Sequence, residues 1–280
     1  MFQAHGYARA RSRLRPPSRR AWLPLPGLLA ILACLGCGLD LPNEPGEGPG
    51  RRAQQLALRP EQELALGEQA YHKVLRESSG HVLPGDDPRV QRVRAIAKRI
   101  VRAAGIRPLQ REINLHLAGY RFDWEVNVIS DRQVNAFCLP GGKIAVYTGI
   151  LPVAENDDQL ATVLSHEIAH ALAHHSNERV ARQESGGVNV FLDKAFDRRQ
   201  ESEADHIGVF LMTFADYQPE EAVRFWMNMR RANPGGAGIP EILSDHPSDE
   251  RRIEDMRAWV PMAAAGKKAF DEGRITPAAR

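Results

Sequence analysis

The feature that most constrains the fold is a predicted helix that begins near Asn156 and contains two histidines one turn apart. Asn156 is a favourable N-cap residue, and the two acids that follow it suit the positive end of a helix dipole. The sequence His166-Glu167-Ile168-Ala169-His170 lies inside this helix, so both imidazoles would project from one face. The helix is predicted because apolar residues recur at its spacing: Leu160, Val163, Leu164, Ile168, Ala171 and Leu172.

Two histidines four residues apart on a helix can bind one metal ion, and a glutamate beside them can accept a proton from a metal-bound water. A catalytic zinc ion takes three protein ligands, so a third residue is required. Glu201 is the candidate because it opens the segment Glu201-Ser202-Glu203-Ala204-Asp205 on the next long predicted helix. Asp205 lies one turn later on the same face and could fix an imidazole. The predicted site comprises the ligands His166, His170 and Glu201, the base Glu167 and the supporting carboxylate Asp205.

Other residues near these motifs have a more ordinary interpretation. Without the paired histidines, residues 201–205 would be interpreted as a charged helix face. Glu203 is expected to be solvated, and His174 and His175 are expected near the helix end, too far along to join the metal site. Cys138 is expected to be a buried and unreactive thiol.

Several ordered motifs resemble those of metallopeptidase family 48, zinc metallopeptidases that include HtpX, the CAAX prenyl proteases and periplasmic chaperone-proteases. The resemblance runs from about residue 60 to 260. It rests on Asn-Ala-Phe-Cys-Leu-Pro-Gly-Gly at 135–142, on residues 166–170, on residues 201–205 with Gly208, and on His246-Pro247 with Arg252. The family implies the same zinc ligands, base and carboxylate as the spacing does.

The resemblance also implies two features that spacing does not. His246 matches a histidine that can close the open zinc position or act as a transition-state donor; the alternative is a loop histidine held by Pro247. The segment Lys143 to Thr148 matches a sheet edge on which an extended substrate could pair by main-chain hydrogen bonds.

The N-terminus has the pattern of an export signal. Residues 1–20 contain arginines and no acid, and the apolar run from Ala21 to Leu35 is shorter than the roughly 20 residues of a membrane-spanning helix. Cys34 and Cys37 each resemble the lipidated cysteine of a bacterial lipobox; an ordinary cleaved signal is the alternative. No Asp follows either cysteine, so an exported, periplasmic protein with a lipid anchor in the outer membrane is predicted.

The remaining pattern predicts an α+β fold, a mostly helical zincin-type metallopeptidase domain with a small antiparallel sheet. Strands are expected near residues 113–117, 124–128 and 143–148, and further helices over 61–77, 89–104, 198–215, 219–231 and 249–259. The predicted organisation is a lipoprotein-type signal peptide over 1–36, a flexible tether over 37–58, a zinc metallopeptidase domain over 59–262 and a loosely ordered tail over 263–280.

These patterns predict a zinc-dependent endopeptidase that cleaves unfolded or misassembled proteins in the bacterial cell envelope. The alternative is a non-hydrolytic, zinc-containing envelope chaperone or assembly factor. The presence of Glu167 argues against it, because structural zinc needs no base. The net charge is only +2 and much of the excess arginine lies in the first 20 residues, so no nucleic-acid partner is expected.

Overall fold

The computed structural model describes residues 49–182, 198–232, 242, 246 and 250–275. The predicted signal peptide, the two candidate lipidation sites Cys34 and Cys37, and the first part of the predicted tether lie outside the described residues. Every helix among the described residues is too short or too polar to cross a membrane.

The described chain contains eight α-helices and one three-stranded sheet. In chain order the helices are α1 (Pro60–Glu77), α2 (Pro88–Ala104), α3 (Arg107–Glu112), α4 (Asp157–Leu172), α5 (His175–Arg182), α6 (Arg198–Phe214), α7 (Glu220–Ala232) and α8 (Glu250–Asp271). The strands lie between α3 and α4 and are β1 (Glu125–Ile129), β2 (Ala136–Leu139) and β3 (Lys143–Tyr147). The predicted α+β, mostly helical fold is therefore confirmed.

Local sequence signals explain where the main helices begin. Helices α1 and α2 each have a proline at the first helical position, where no backbone N–H is needed. Asn156 accepts a hydrogen bond of 2.8 Å from the backbone N–H of Gln159 and so caps α4, as its sequence predicted. Helix α4 then runs through the core, buried at every residue from Gln159 to Leu172, and contacts α2, α6, α7 and β2. This central helix carries the paired histidines.

The sheet is mixed rather than antiparallel, which corrects one prediction. Strand β3 lies in the middle, parallel to β1 and antiparallel to β2. The connection from β1 to β2 passes the end of β3, where Gly149 donates its N–H to the carbonyl of Asp131 at 2.9 Å. A Cβ on Gly149 would lie 2.2 Å from the carbonyl oxygen of Arg132, so this close crossing requires glycine. Because β3 is central, the implied sheet edge at residues 143–148 is also wrong.

Residues 113–117 do not form the predicted strand, and β2 was not predicted. The N–H of Ile113 bonds to the carbonyl of Leu109 at the end of α3, and Asn114 then has a left-handed φ of 52°. Asparagine tolerates this conformation, which interrupts an extended run. Ile113 and Leu115 are both buried, so the alternation of apolar residues reflects burial in a turn.

Helix α8 extends beyond its predicted end. It continues through Pro261 to Asp271, although a proline inside a helix costs about 3 kcal/mol. The residues beyond Pro261 contact the end of α6: the Phe270 ring lies 5.6 Å from the Phe214 ring, and Lys267 Nζ lies 2.9 Å from Asp216 Oδ1. The first part of the predicted loose tail, residues 263–271, is therefore helical.

Residues 49–58, predicted to belong to a flexible tether, pack against the start of α5. The side-chain oxygen of Asn177 accepts hydrogen bonds of 2.9 Å from the backbone N–H groups of Ala57 and Leu58. Gln54 is buried and donates to the carbonyl of Ala173 at 2.6 Å. Hydrogen bonds to Asn177 and Ala173, together with packing of Leu58 against a buried apolar cluster, hold this segment in place.

Candidate metal centre

Four potential ligand atoms from three parts of the chain converge on one point. They belong to His166 and His170 on α4, to Glu201 in the first turn of α6, and to His246, and they all lie within 4.8 Å of one another. Helix α6 packs along α4, which brings Glu201 opposite the two histidines. All four side chains are buried. The structure thus brings the three residues predicted as ligands together with His246.

The distances between these atoms suit a single metal ion. His166 Nε2 lies 3.1 Å from His170 Nε2 and 3.4 Å from Glu201 Oε2. His246 Nδ1 lies 3.2 Å from His166 Nε2 and 2.9 Å from Glu201 Oε1. Ligands about 2.0–2.1 Å from a tetrahedral ion are about 3.3–3.4 Å apart. Imidazole nitrogens with one carboxylate oxygen also form a donor set typical of divalent transition metals, so the residues fit a metal site.

Asp205 and Arg252 form the back of this site. Asp205 Oδ1 lies 2.9 Å from His166 Nδ1, the ring nitrogen that faces away from the other ligands. The guanidinium of Arg252, on α8, donates to both Asp205 oxygens at 2.6 and 2.8 Å, and its Nη1 lies 2.8 Å from Glu201 Oε2. Arg252 also lies 4.6 Å above the ring of Trp226. Asp205 therefore orients His166, while Arg252 holds two carboxylates in place.

Burial and charge shift the pKa values of the ligands in different directions. Burial lowers the pKa of His166, but hydrogen bonds to Asp205 and Glu201 outweigh it and raise that pKa to about 10. At His170 burial dominates and holds the pKa well below its ordinary value. Burial would raise the pKa of Glu201, but the charges of His246 and Arg252 keep it well below the usual range. The carboxylates therefore draw positive charge into the site, which a bound cation could supply.

Glu167, the residue predicted as the base, is buried beside the four ligand atoms. Its Oε1 lies 3.4 Å from His246 Nε2. Burial raises the pKa of the nearby Cys138 thiol, and the charge of Glu167 raises it further. Cys138 therefore stays protonated, as expected for a buried and unreactive thiol.

Two residues that sequence reasoning had set aside lie behind His170. His174 has a left-handed φ of 55°, which turns the chain after α4 and brings His175 Nδ1 to 2.9 Å from His170 Nδ1. Glu203, expected to be solvated, is buried and lies 3.1 Å from His175 Nε2. Helical periodicity does not predict these contacts because they depend on the break at His174. The adjacent histidines after the apolar stripe were the one signal that could have indicated them.

Comparison with known proteins identifies the family. The sequence pattern of peptidase family M48 matches residues 89–191 and 185–260. The mitochondrial metalloendopeptidase OMA1 of Saccharomyces cerevisiae is 35% identical over 226 residues, which cover 72% of this chain and 64% of that protein. The mitochondrial metalloendopeptidase OMA1 of Homo sapiens is 26% identical over 76% of this chain and 45% of its own. The beta-barrel assembly-enhancing protease of Yersinia pestis is 23% identical over 78% of this chain and 51% of its own. The chain thus spans only part of these relatives' length.

The predicted location is wrong. Relatives from fungi, a plant and mammals are mitochondrial enzymes, which contradicts an exported, periplasmic lipoprotein of the outer membrane. The N-terminal arginines without acids, which suggested export, are also typical of mitochondrial targeting segments. The predicted family, in contrast, is confirmed. The match over residues 89–260 and the identity to the yeast enzyme show that the chain belongs to peptidase family M48, a family of metallopeptidases.

Proposed function

We propose that this chain is a zinc-dependent endopeptidase that cleaves unfolded or misassembled proteins, with His166, His170 and Glu201 as the zinc ligands. The observation that carries the proposal is the convergence of these three side chains in a buried pocket beside Glu167. Two imidazoles and one carboxylate are a ligand set of catalytic zinc, and they leave a fourth position for water or substrate. The names of the relatives, metalloendopeptidase and protease, support the same activity.

Glu167 is the general base in this proposal. Zinc bound by the three ligands would activate a water molecule and polarise the scissile carbonyl. Glu167 accepts a proton from the attacking water and passes it to the leaving amine. Asp205 fixes His166 from behind at 2.9 Å, and Arg252 fixes Glu201 at 2.8 Å, so the ligands need little rearrangement during the reaction.

His246 lies where a fourth ligand of the candidate site would lie. Its Nδ1 is close enough to His166 and Glu201 to be a fourth ligand, and its Nε2 lies 3.4 Å from Glu167 Oε1. We therefore propose that it either closes the site as a gate or donates a hydrogen bond to the transition state. A His246→Ala variant separates the roles, since faster peptide cleavage supports a gate and slower cleavage supports a donor.

The decisive experiment is cleavage of unfolded casein by the full chain, with and without a zinc chelator, beside a Glu167→Gln variant. We expect the chelator to abolish cleavage and the variant to lose at least about a hundredfold in rate while still binding zinc, because it lacks the base. Glu220→Gln, at an exposed position on α7, is the matched control and should cleave at the rate of the unchanged chain.

The alternative function is a non-hydrolytic, zinc-containing chaperone or assembly factor. The name of the Yersinia pestis relative links assembly with proteolysis, and this observation favours testing the alternative function. A protein that binds one zinc ion, does not cleave casein and suppresses casein aggregation equally well with Glu or Gln at position 167 would establish the alternative and exclude the protease.

A further inference from the structure

The two ring nitrogens of His170 have different neighbours. Nε2 faces the other ligands, 3.1 Å from His166 Nε2 and 3.4 Å from Glu201 Oε1. Nδ1 faces the opposite way and lies 2.9 Å from His175 Nδ1. His175 is completely buried, and its ring stands at 71° to that of His170, with 4.9 Å between the ring centres. The orientation of His170 therefore depends on a second imidazole.

The position of the hydrogen atoms follows from Glu203. A carboxylate only accepts hydrogen bonds, so His175 Nε2, 3.1 Å from Glu203 Oε2, carries a hydrogen. In a neutral imidazole the other nitrogen is then an acceptor, so His175 Nδ1 accepts a hydrogen bond from His170 Nδ1–H. This tautomer leaves a lone pair on His170 Nε2, which is the form that binds a metal.

Arg52 holds Glu203 in the orientation that this arrangement needs. Its guanidinium donates to both oxygens of Glu203, through Nε to Oε1 and through Nη2 to Oε2 at 2.9 Å. The same guanidinium donates to both oxygens of Glu178 at 2.6 and 2.8 Å. The Arg52 side chain is only 15% exposed. Arg252 contacts His166 through one carboxylate, Asp205. Arg52 contacts His170 through one carboxylate and one histidine, Glu203 and His175.

We propose that Arg52, Glu203 and His175 are positioning residues that fix the tautomer and orientation of His170, so that the segment at residues 52–58 completes the metal site. The inference rests on the proposed function only in taking His170 as a metal ligand. It assigns a role to three residues for which sequence spacing predicts none. It also explains why residues 52–58, more than 100 residues before the site in sequence, are held against α5 by hydrogen bonds of Gln54 and Asn177.

The test uses the full chain and three variants, His175→Ala, Arg52→Ala and, as the matched control, Arg51→Ala, whose side chain is exposed. Zinc affinity is measured by competition with a chromophoric chelator, and ligand geometry by the visible absorption of the Co²⁺-substituted protein. Loss of a group that orients a metal ligand typically weakens binding 10–100-fold. We expect a loss in that range for His175→Ala, about tenfold for Arg52→Ala, and a changed Co²⁺ spectrum for both.

Two results would overturn the inference: wild-type zinc affinity in folded Arg52→Ala, or an unchanged Co²⁺ spectrum in both variants. Arg52→Ala keeps the test decisive if His175→Ala does not fold, and Arg52→Lys should recover part of the lost affinity because it retains the charge. Cleavage is scored separately. A chain that binds zinc without cleaving casein refutes the proposed protease, whereas the variant affinities still decide the role of Arg52.

Discussion

Arg252 is a permanently charged residue that lies beside two buried carboxylates, Asp205 and Glu201. It contacts Asp205 through two nitrogens and Glu201 through a third, and it is only 5% exposed. Without Arg252, these two buried carboxylates would repel each other, and no positive charge would compensate for their lost solvation. At the level of the single residue, the positive charge of Arg252 makes the burial of Glu201, the proposed ligand, and of Asp205 possible.

We expect Arg252→Ala to destabilise the metal-free protein by about 3–5 kcal/mol, since it leaves buried charges uncompensated. Urea unfolding of the chelator-treated protein measures this change. Arg251→Ala is the control, because the Arg251 side chain is 87% exposed and should shift stability by no more than about 0.5 kcal/mol. Equal stabilities of the two variants would refute the role assigned to Arg252.

The sequence predicts the site residues that helical spacing places together. It does not predict His175, which reaches the site because the helix breaks at His174. His166 and His170 lie one turn apart, and so do Glu201 and Asp205, which the pattern alone predicts. His175 reaches His170 only because His174 takes a left-handed conformation. No local pattern indicates that turn.

At the scale of elements, the approach of α6 to α4 sets the position of Glu201 relative to the histidines. Gly208 on α6 allows this approach, because a Cβ there would lie 3.2 Å from His166 N and 3.3 Å from His166 Cα. Such distances are too short for comfortable packing against backbone atoms. Helix α6, which carries the proposed ligand Glu201, can therefore pack close to α4 because residue 208 has no side-chain methyl group.

We predict that Gly208→Ala destabilises the protein by about 1–3 kcal/mol and weakens zinc binding, because it pushes α6 away from α4. Gly266→Ala is the matched control within α8, where the new Cβ would meet Phe214 at an ordinary 3.8 Å. That change should stabilise by about 0.4–1 kcal/mol through the loss of unfolded-chain entropy. Thermal unfolding and chelator competition measure both, and stabilisation by Gly208→Ala would contradict the packing argument.

Element types were easier to predict than element order. Helices α2, α4 and α6 appeared near their predicted positions because their apolar residues have a clear helical period. The order of strands, with β3 between β1 and β2, depends on the crossing beside Gly149, which strand patterns do not encode. Helix α8 continues beyond Pro261, where it contacts residues near the end of α6, so a local signal for a helix end was wrong.

At the scale of the whole molecule, metal binding links parts of the chain that are far apart in sequence. The four ligand atoms come from α4, α6 and His246, so removing the metal should weaken the entire fold. A ligand present at a thousandfold excess over its dissociation constant stabilises the folded state by about 4 kcal/mol. We expect an increase of this order when zinc is added to the chelator-treated chain, measured by urea unfolding. The His170→Ala variant, which lacks one ligand, should show almost none of it.

The hydrogen bonds of Arg52 also set an order of events during folding. The sheet pairs strands within residues 125–147, whereas Arg52 and Glu203 are separated by 151 residues in the chain. Closing so long a loop costs entropy that local contacts do not, so we expect the sheet and α4 to form first and the Arg52 contacts to form late. During synthesis these contacts cannot form until Glu203 has left the ribosome. A nascent chain would therefore have its histidine pair in place well before the orientation of His170 is fixed, which delays formation of the complete candidate metal site until residue 203 has been made.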